Sequence, residues 1–92
     1  MSNIDWTKLI TAAMKETQKT IALMAVITAE QSRLKAVADK VIQPLQDDHD
    51  TGDADDAEEA LLIAWKRYRS ALAKVQLQAG YPKAVEWPVV PS

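Results

Sequence analysis

The first 43 residues contain neither glycine nor proline, and this constrains the fold more than any other feature of the chain. Nothing in that stretch breaks a helix. A seam of mostly apolar or small side chains recurs along it at intervals of three and four residues, which keeps the seam on one helix face. The seam positions are Ile10, Ala13, Thr17, Thr20, Met24, Ile27, Gln31, Leu34, Val37, Val41 and Leu45. The sequence therefore predicts one long helix with a heptad-like seam that three polar residues interrupt.

The predicted helix begins at Asp5 and ends near residue 46. Asp5 suits the N-cap because its carboxylate accepts hydrogen bonds from free backbone N–H groups. Ile4 and Leu9 flank it as a hydrophobic staple. About 42 residues at the α-helical rise make a rod about 63 Å long.

Two features along this predicted helix favour an interruption. The segment Thr28-Ala-Glu-Gln31 has the form of a capping box and is able to start a second helix. Pro44 removes a backbone donor and disfavours helix at the residue before it. We therefore leave a break at Thr28 open, and expect a kink or an end of the helix between Val41 and Leu45.

Residues 47–54 form a predicted acidic connector. Residues 47–59 contain eight of the thirteen acidic side chains, whereas the rest of the chain has eleven bases and five acids. Residues of this segment fall at the ligand positions of an EF-hand-like loop. They are Asp47, His49, Thr51, Gly52, Asp53, Asp55 and Glu58. Histidine at the third loop position and alanine at the eighth do not suit calcium, so we expect a solvated connector and no metal.

A second helix is predicted from about residue 55 to residue 79. Its apolar side chains are spaced four, three, four and three residues apart, which places them on one face. They are Leu61, Trp65, Tyr68, Leu72 and Val75. Gly80 and the following Tyr81-Pro82 end the helix. Residues 80–92 are predicted to be an extended, proline-rich tail, with Trp87 anchored on the helices.

These elements predict a single all-α domain, residues 1–92, in which a long helix and a shorter antiparallel helix form a hairpin or coiled coil. The second helix, about 38 Å long, is too short to cover the first. The part of the first helix from Trp6 to Ile27 is then left bare. Its exposed apolar side chains are expected to be Leu9, Ile10, Met14, Ile21, Met24 and Ile27. Such a surface usually marks a protein interface, so we expect a homo-oligomer, a dimer or a trimer.

Composition argues against several functional classes. The chain has no cysteine and a single histidine, and a helical hairpin has no cleft in which to orient catalytic groups. We therefore predict no enzyme, no cofactor and no metal. The longest apolar run, residues 21–27, is too short to cross a membrane, and no secretion signal is evident, so the expected location is the cytoplasm. Basic residues are spread along two helices, which does not favour nucleic-acid binding.

Two groups of residues together resemble the C-terminal region of phage tail fibre assembly proteins. The first is Leu61-Leu62-x-Ala64-Trp65-Lys66-x-Tyr68-Arg69-x-x-Leu72-x-x-Val75, followed by Trp87-Pro88. The second is Glu30-Gln31-x-Arg33-Leu34-x-x-x-Ala38-Asp39-x-Val41-Ile42-x-Pro44-Leu45-x-Asp47. The resemblance covers residues 29–91. It implies a phage or prophage chaperone-like protein in the bacterial host cytoplasm that helps fibre polypeptides fold, trimerise or attach to the tail.

Only the helix from Asp5 to Ala29 precedes the resembling segment, whereas members of the family have a larger N-terminal part. If fibre recognition lies in that larger part, the resemblance implies that this chain is a reduced version of these proteins or has a related function in the tail. Two other functions stay open at this point. One is a small structural coiled-coil component of the tail or baseplate, and the other is a generic helical adaptor.

The aromatic residues of the second helix have two interpretations. Trp65 and Tyr68, one helical turn apart, either form a core wedge against the first helix or an exposed ridge that binds the fibre protein. Arg69 either stays solvated, pairs with Asp39, or binds acidic loops of a partner. Trp87 is a further candidate for partner binding.

Overall fold

The computed structural model describes residues 6–91, and side chains from residue 7 onward. Over this range the chain forms helix α1 (Trp6–Thr51), helix α2 (Asp56–Ala73) and a short 3-10 helix, Val75–Leu77. Residues 6–91 contain no strand. α2 packs back against the C-terminal half of α1, so the predicted all-α helical hairpin is confirmed. The predicted cap Asp5 and staple residue Ile4 lie outside the described residues.

Helix α1 is longer than predicted. It is continuous through Thr28 and past Pro44, and it ends at Thr51. Pro44 is exposed, whereas Leu45 packs against the core and Ile42 is part of it. We attribute the continuity to this packing, which offsets the cost of about 3 kcal/mol of a proline inside a helix.

The connector between the helices is correspondingly shorter. Gly52 has a φ of 77°, a conformation that suits glycine because it has no Cβ, and it ends α1. The backbone N–H groups of Asp53 and Ala54 both donate to the carbonyl oxygen of Asp48, at 2.8 and 3.1 Å. Residues 47–51, which were expected in the connector, belong to α1. Residues 52–55 alone join the two helices.

The core lies between the two helices, and α2 contributes most of it. α1 contributes Ala38 and Ile42, and α2 contributes Leu62, Trp65, Tyr68 and Leu72. The partly buried Leu34, Val41, Leu45, Leu61 and Trp87 pack around this cluster. The buried positions differ by one residue from some of those predicted: Ala38 is buried where Val37 was expected, and Leu62 is more deeply buried than Leu61.

Polar contacts also join the two antiparallel helices. The Arg69 guanidinium donates to Asp39, with Nη1 2.9 Å from Oδ1, and His49 Nδ1 lies 2.7 Å from Glu59 Oε1. Gln31 lies in the α1 seam, and its Nε2 donates to the carbonyl oxygen of Leu72 at 2.6 Å and to Oε1 of Gln76 at 2.9 Å. The seam glutamine thus adds a side-chain donor to the Leu72 carbonyl near the end of α2, an oxygen that also accepts a backbone N–H of the helix cap.

α2 ends at Ala73, six residues before its predicted end, and the chain then turns back toward α1. Residues 80–84 form turns instead of the predicted extended tail, and residues 85–91 have no regular secondary structure. The Gln78 side chain holds this segment because its amide accepts from the Glu86 N–H at 2.8 Å and donates to the Glu86 carbonyl at 2.7 Å. Ala84 N–H donates to the Gly80 carbonyl, and a Cβ at Gly80 would lie 2.6 Å from the Ala84 oxygen, so this close turn requires glycine.

The molecule is elongated. Its principal extents are 79 × 19 × 17 Å and its radius of gyration is 20.9 Å, whereas a compact chain of this length has about 12 Å. The difference arises because α1 extends well beyond the end of α2. We call residues 6–26 of α1 the arm.

Candidate functional site

The arm carries an exposed apolar surface, which we call the arm stripe: Leu9, Ile10, Met14, Ile21 and Met24. Between 38% and 60% of each of these residues is exposed. α2 and the segment after it lie along the C-terminal half of α1, as the bonds of Gln31 to Leu72 and Gln76 illustrate. The arm stripe therefore has nothing within the described chain to cover it, as the sequence predicted.

Ile27, which we expected to be exposed with the arm stripe, is buried, with only 5% of its surface exposed. It lies beside a groove that runs between α1 and the C-terminal segment. The C-terminal segment was expected to be extended, and its return toward α1 explains the wrong prediction. The Trp87-Pro88 pair indicated an anchor, but no sequence signal placed that anchor against α1 near Ile27.

We call this feature the C-terminal groove. It has a volume of about 790 Å³. Its lining residues are Leu23, Val26, Ile27, Ala29, Glu30, Arg33, Pro82, Lys83, Val85 and Trp87. The groove combines apolar walls with a few charged groups, a composition typical of binding sites.

The charged groups of the groove include an ion pair on α1. Arg33 donates from Nε to Glu30 Oε2 at 2.9 Å, and its second contact goes to the other carboxylate oxygen. The hydrogen bond from Arg33 lowers the pKa of Glu30, and the same bond raises the pKa of Arg33. The pair therefore stays ionised. Lys83, which lies on the C-terminal segment that forms the other wall of the groove, adds a further charge.

Trp65 and Tyr68 do not form an exposed ridge. They are 8% and 5% exposed, and their rings meet edge to face with centroids 5.6 Å apart, a favourable geometry for aromatic pairs. The core-wedge interpretation fits this burial, and the ridge interpretation does not. Arg69 pairs with Asp39, which is one of the alternatives that the sequence left open.

The acidic residues around the connector serve local structure. Asp55 caps α2, with its Oδ1 2.8 Å from the Glu58 N–H, and Thr51 Oγ1 donates to Asp53 Oδ2 at 3.0 Å. The EF-hand-like spacing does not make a loop here, because its first five positions are helical. Within residues 6–91, no three or more His, Asp or Glu side chains come together to hold a metal ion.

The carboxyl groups of Glu58 and Asp48 predict that the stability of the hairpin depends on pH. A hydrogen bond between the two carboxyl groups raises the pKa of Glu58, with smaller contributions from desolvation and from the charges of Asp55 and Asp48. Because the folded chain holds this proton more tightly, stability is highest below the ordinary pKa of glutamate and falls as pH rises through the raised pKa. We expect Glu58→Gln to raise the melting temperature slightly at pH 7, and to match the wild type once glutamate is protonated in both states.

Thermal melts monitored by circular dichroism between pH 3 and pH 8 measure this difference. Glu86→Gln is the matched control, because it removes the same charge from an exposed residue far from Asp48. An equal rise at pH 7 in both variants would assign the effect to net charge rather than to the carboxyl pair.

None of the helices in the described part of the chain is both long and apolar enough to span a membrane.

These features define a class of protein. An elongated helical hairpin with a long bare apolar stripe is typical of proteins that act by binding other proteins. Comparison with known families identifies which one. The family model described as "Caudovirales tail fibre assembly protein, lambda gpK" matches residues 3–92, and the chain belongs to this family. The match includes the arm and is thus longer than the resemblance seen in residues 29–91.

Individual relatives agree with the family match. The chain is 45% identical over 69 residues to a probable tail fiber assembly protein of Shigella phage SfV, a match that covers 74% of this chain and 38% of the relative. It is 39% identical over 83 residues to the tail fiber assembly protein of Escherichia phage lambda, covering 88% of this chain and 41% of the relative. It is 37% identical over 83 residues to the prophage tail fiber assembly protein homolog TfaR of Escherichia coli K12, covering 88% and 42%.

The chain thus spans about two fifths of the length of the curated relatives it matches. No solved structure gives a significant match.

Proposed function

We propose that this chain takes part in tail fibre assembly by binding a phage tail fibre protein, with no catalytic step and no cofactor. The observation that carries the proposal is the family match over residues 3–92. The relatives are named tail fiber assembly proteins. We place the activity in the bacterial host cytoplasm, where fibre polypeptides are made.

The physical role is that of a chaperone. Polypeptides that have not yet assembled expose apolar surface, which aggregates. A protein that binds such surface reversibly lowers the concentration of free aggregating species. Release then accompanies trimer assembly, because the fibre subunits bury the same surface against one another.

We assign fibre binding to the C-terminal groove. Its volume of about 790 Å³ is in the range of sites that take a compact apolar group. Val26 on its wall is 65% exposed, so a partner is able to reach it. Trp87 lines the same groove and is partly buried against the core, which makes it a pre-ordered aromatic anchor of the kind that dominates binding energies. Trp65 and Tyr68 contribute indirectly, since they hold α1 and α2 together.

The test is coexpression of a cognate fibre protein with the wild-type chain or with Val26→Glu. The glutamate places an unpaired charge in the groove, and we expect at least about tenfold weaker fibre binding, together with less soluble trimeric fibre.

Val37→Glu is the matched control, because Val37 is 45% exposed on the same helix and does not line the groove. A fibre that is equally soluble and trimeric without the chain would overturn the proposal. Equal loss in both variants would overturn the assignment to the groove.

A structural component of the tail is the second candidate, and the elongated shape of the molecule favours it. Mass spectrometry of purified particles separates the two functions. A transient assembly factor is absent from the particle, whereas a structural component is present at a fixed number of copies.

A further inference from the structure

The surface of the arm contains a hollow that is able to accept a side chain of another helix. A hollow of about 320 Å³ is lined by Ile10, Ala13, Met14 and Thr17, together with Gln18. The first four residues are spaced i, i+3, i+4 and i+7, which is the set of four that forms a hole in knobs-into-holes packing. Ala13 leaves the centre of the hole open because its side chain is small.

The face that contains this hole continues the face that the hairpin buries. Met24 and Ala38 are separated by two heptads, with Gln31 midway, and this seven-residue period keeps them on one gradually turning face of α1. Ala38 is fully buried by α2, and Gln31 binds the end of α2. Met24 and the rest of the arm stripe lie beyond that end, so one helix seam is half covered and half bare.

We infer that the bare half is the interface with a second copy of this chain, with the two arms packed antiparallel. This inference does not depend on fibre binding at the C-terminal groove. The lysines of the arm permit such a pairing, because Lys8, Lys15 and Lys19 lie on the helix face opposite the arm stripe. Two arms can therefore meet without bringing these positive charges together.

The hairpin decides the direction of the pairing. Beyond Ile27, α2 and the C-terminal segment occupy the seam of α1. Two parallel arms would bring both hairpins to the same end, where each would compete for space along the shared seam. Antiparallel arms place the hairpins at opposite ends and overlap over the whole arm, about 30 Å or three heptads.

Full antiparallel overlap places the two-fold axis near Thr17. The hole between Ile10 and Thr17 then faces Ile21 of the second copy, and the contact occurs twice, as in any isologous dimer. Ile21 is 60% exposed, so it is free to act as the knob. The same alignment brings Ile10 of one copy beside Met24 of the other.

The first measurement is sedimentation velocity of the purified protein at concentrations on the order of 100 µM, well above a micromolar Kd. We expect a dimer for the wild type, and a shift to monomer for Ile21→Lys. Ile63→Lys is the matched control, because Ile63 is 49% exposed on α2, and this variant is expected to remain dimeric. A monomeric or trimeric wild type overturns the inference, and so does equal dissociation of both variants. Far-UV circular dichroism of each variant establishes that the hairpin is intact.

Disulfide formation then tests the direction of the arms, since the chain has no cysteine of its own. We expect Ile10→Cys and Met24→Cys to cross-link when the two variants are mixed and oxidised, and neither variant to cross-link with itself. Parallel arms would give the reverse result, because each cysteine would then face its own counterpart. Cross-linking of each variant with itself therefore overturns the antiparallel arrangement.

Discussion

Replacing Trp65 with alanine is expected to unfold most of the hairpin at 37 °C. Trp65 is 8% exposed and belongs to the cluster that joins α1 to α2. Removing a buried tryptophan side chain costs about 3–5 kcal/mol, since apolar contact is lost and a cavity remains. The variant also loses the edge-to-face contact with Tyr68. Small domains have total stabilities near the lower end of about 5–15 kcal/mol, so little stability is left.

Urea unfolding followed by far-UV circular dichroism measures this loss. The matched control is Ile63→Ala, two residues earlier on α2, where the side chain is 49% exposed. We expect the control to lie within about 0.5 kcal/mol of the wild type. A loss in Trp65→Ala no larger than that of the control would contradict the assignment of Trp65 to the core.

The second large effect is expected for Ala38→Leu. Ala38 is fully buried where α1 and α2 pack against each other. A leucine side chain there forces the helices apart or into unfavourable rotamers, at a cost of about 1–3 kcal/mol. It also displaces α2 from the polar contacts that join the two helices, among them the Arg69–Asp39 ion pair.

Ala36→Leu is the control for this prediction. Ala36 is on the same helix and exposed, so the change in helix propensity is the same and the packing change is absent. Denaturant midpoints of the two variants give the comparison. Equal destabilisation by Ala36→Leu and Ala38→Leu would contradict this explanation. It would show that the small side chain of Ala38 is not needed for the close packing of the two helices.

Much of the fold was predictable from local pattern. The absence of glycine and proline up to residue 43 and the three- and four-residue spacing on both helices predicted the hairpin, since helix periodicity acts over neighbouring turns of one chain. The length difference between the helices predicted that the arm would be bare. The sequence resemblance predicted the family, although it covered only residues 29–91 of the matched range.

Other features required the tertiary structure because they depend on residues far apart in the chain. Local sequence rules predict a helix break at Pro44, but packing of its neighbours against α2 keeps α1 helical to Thr51. The local pattern indicates that Gln31 interrupts the apolar seam, but its side chain donates a hydrogen bond to the Leu72 carbonyl, 41 residues away.

The sequence by itself determined that this chain is a two-helix hairpin with more apolar helix surface than its shorter helix can cover. That follows from composition and periodicity alone, which are properties of each helix. Only the tertiary structure decided how far along α1 the second helix and the C-terminal segment cover its apolar surface. The C-terminal segment turns back to bury Ile27 and to form a groove with α1, whereas the arm stripe stays exposed, because non-local packing decides which of two similar apolar surfaces is buried.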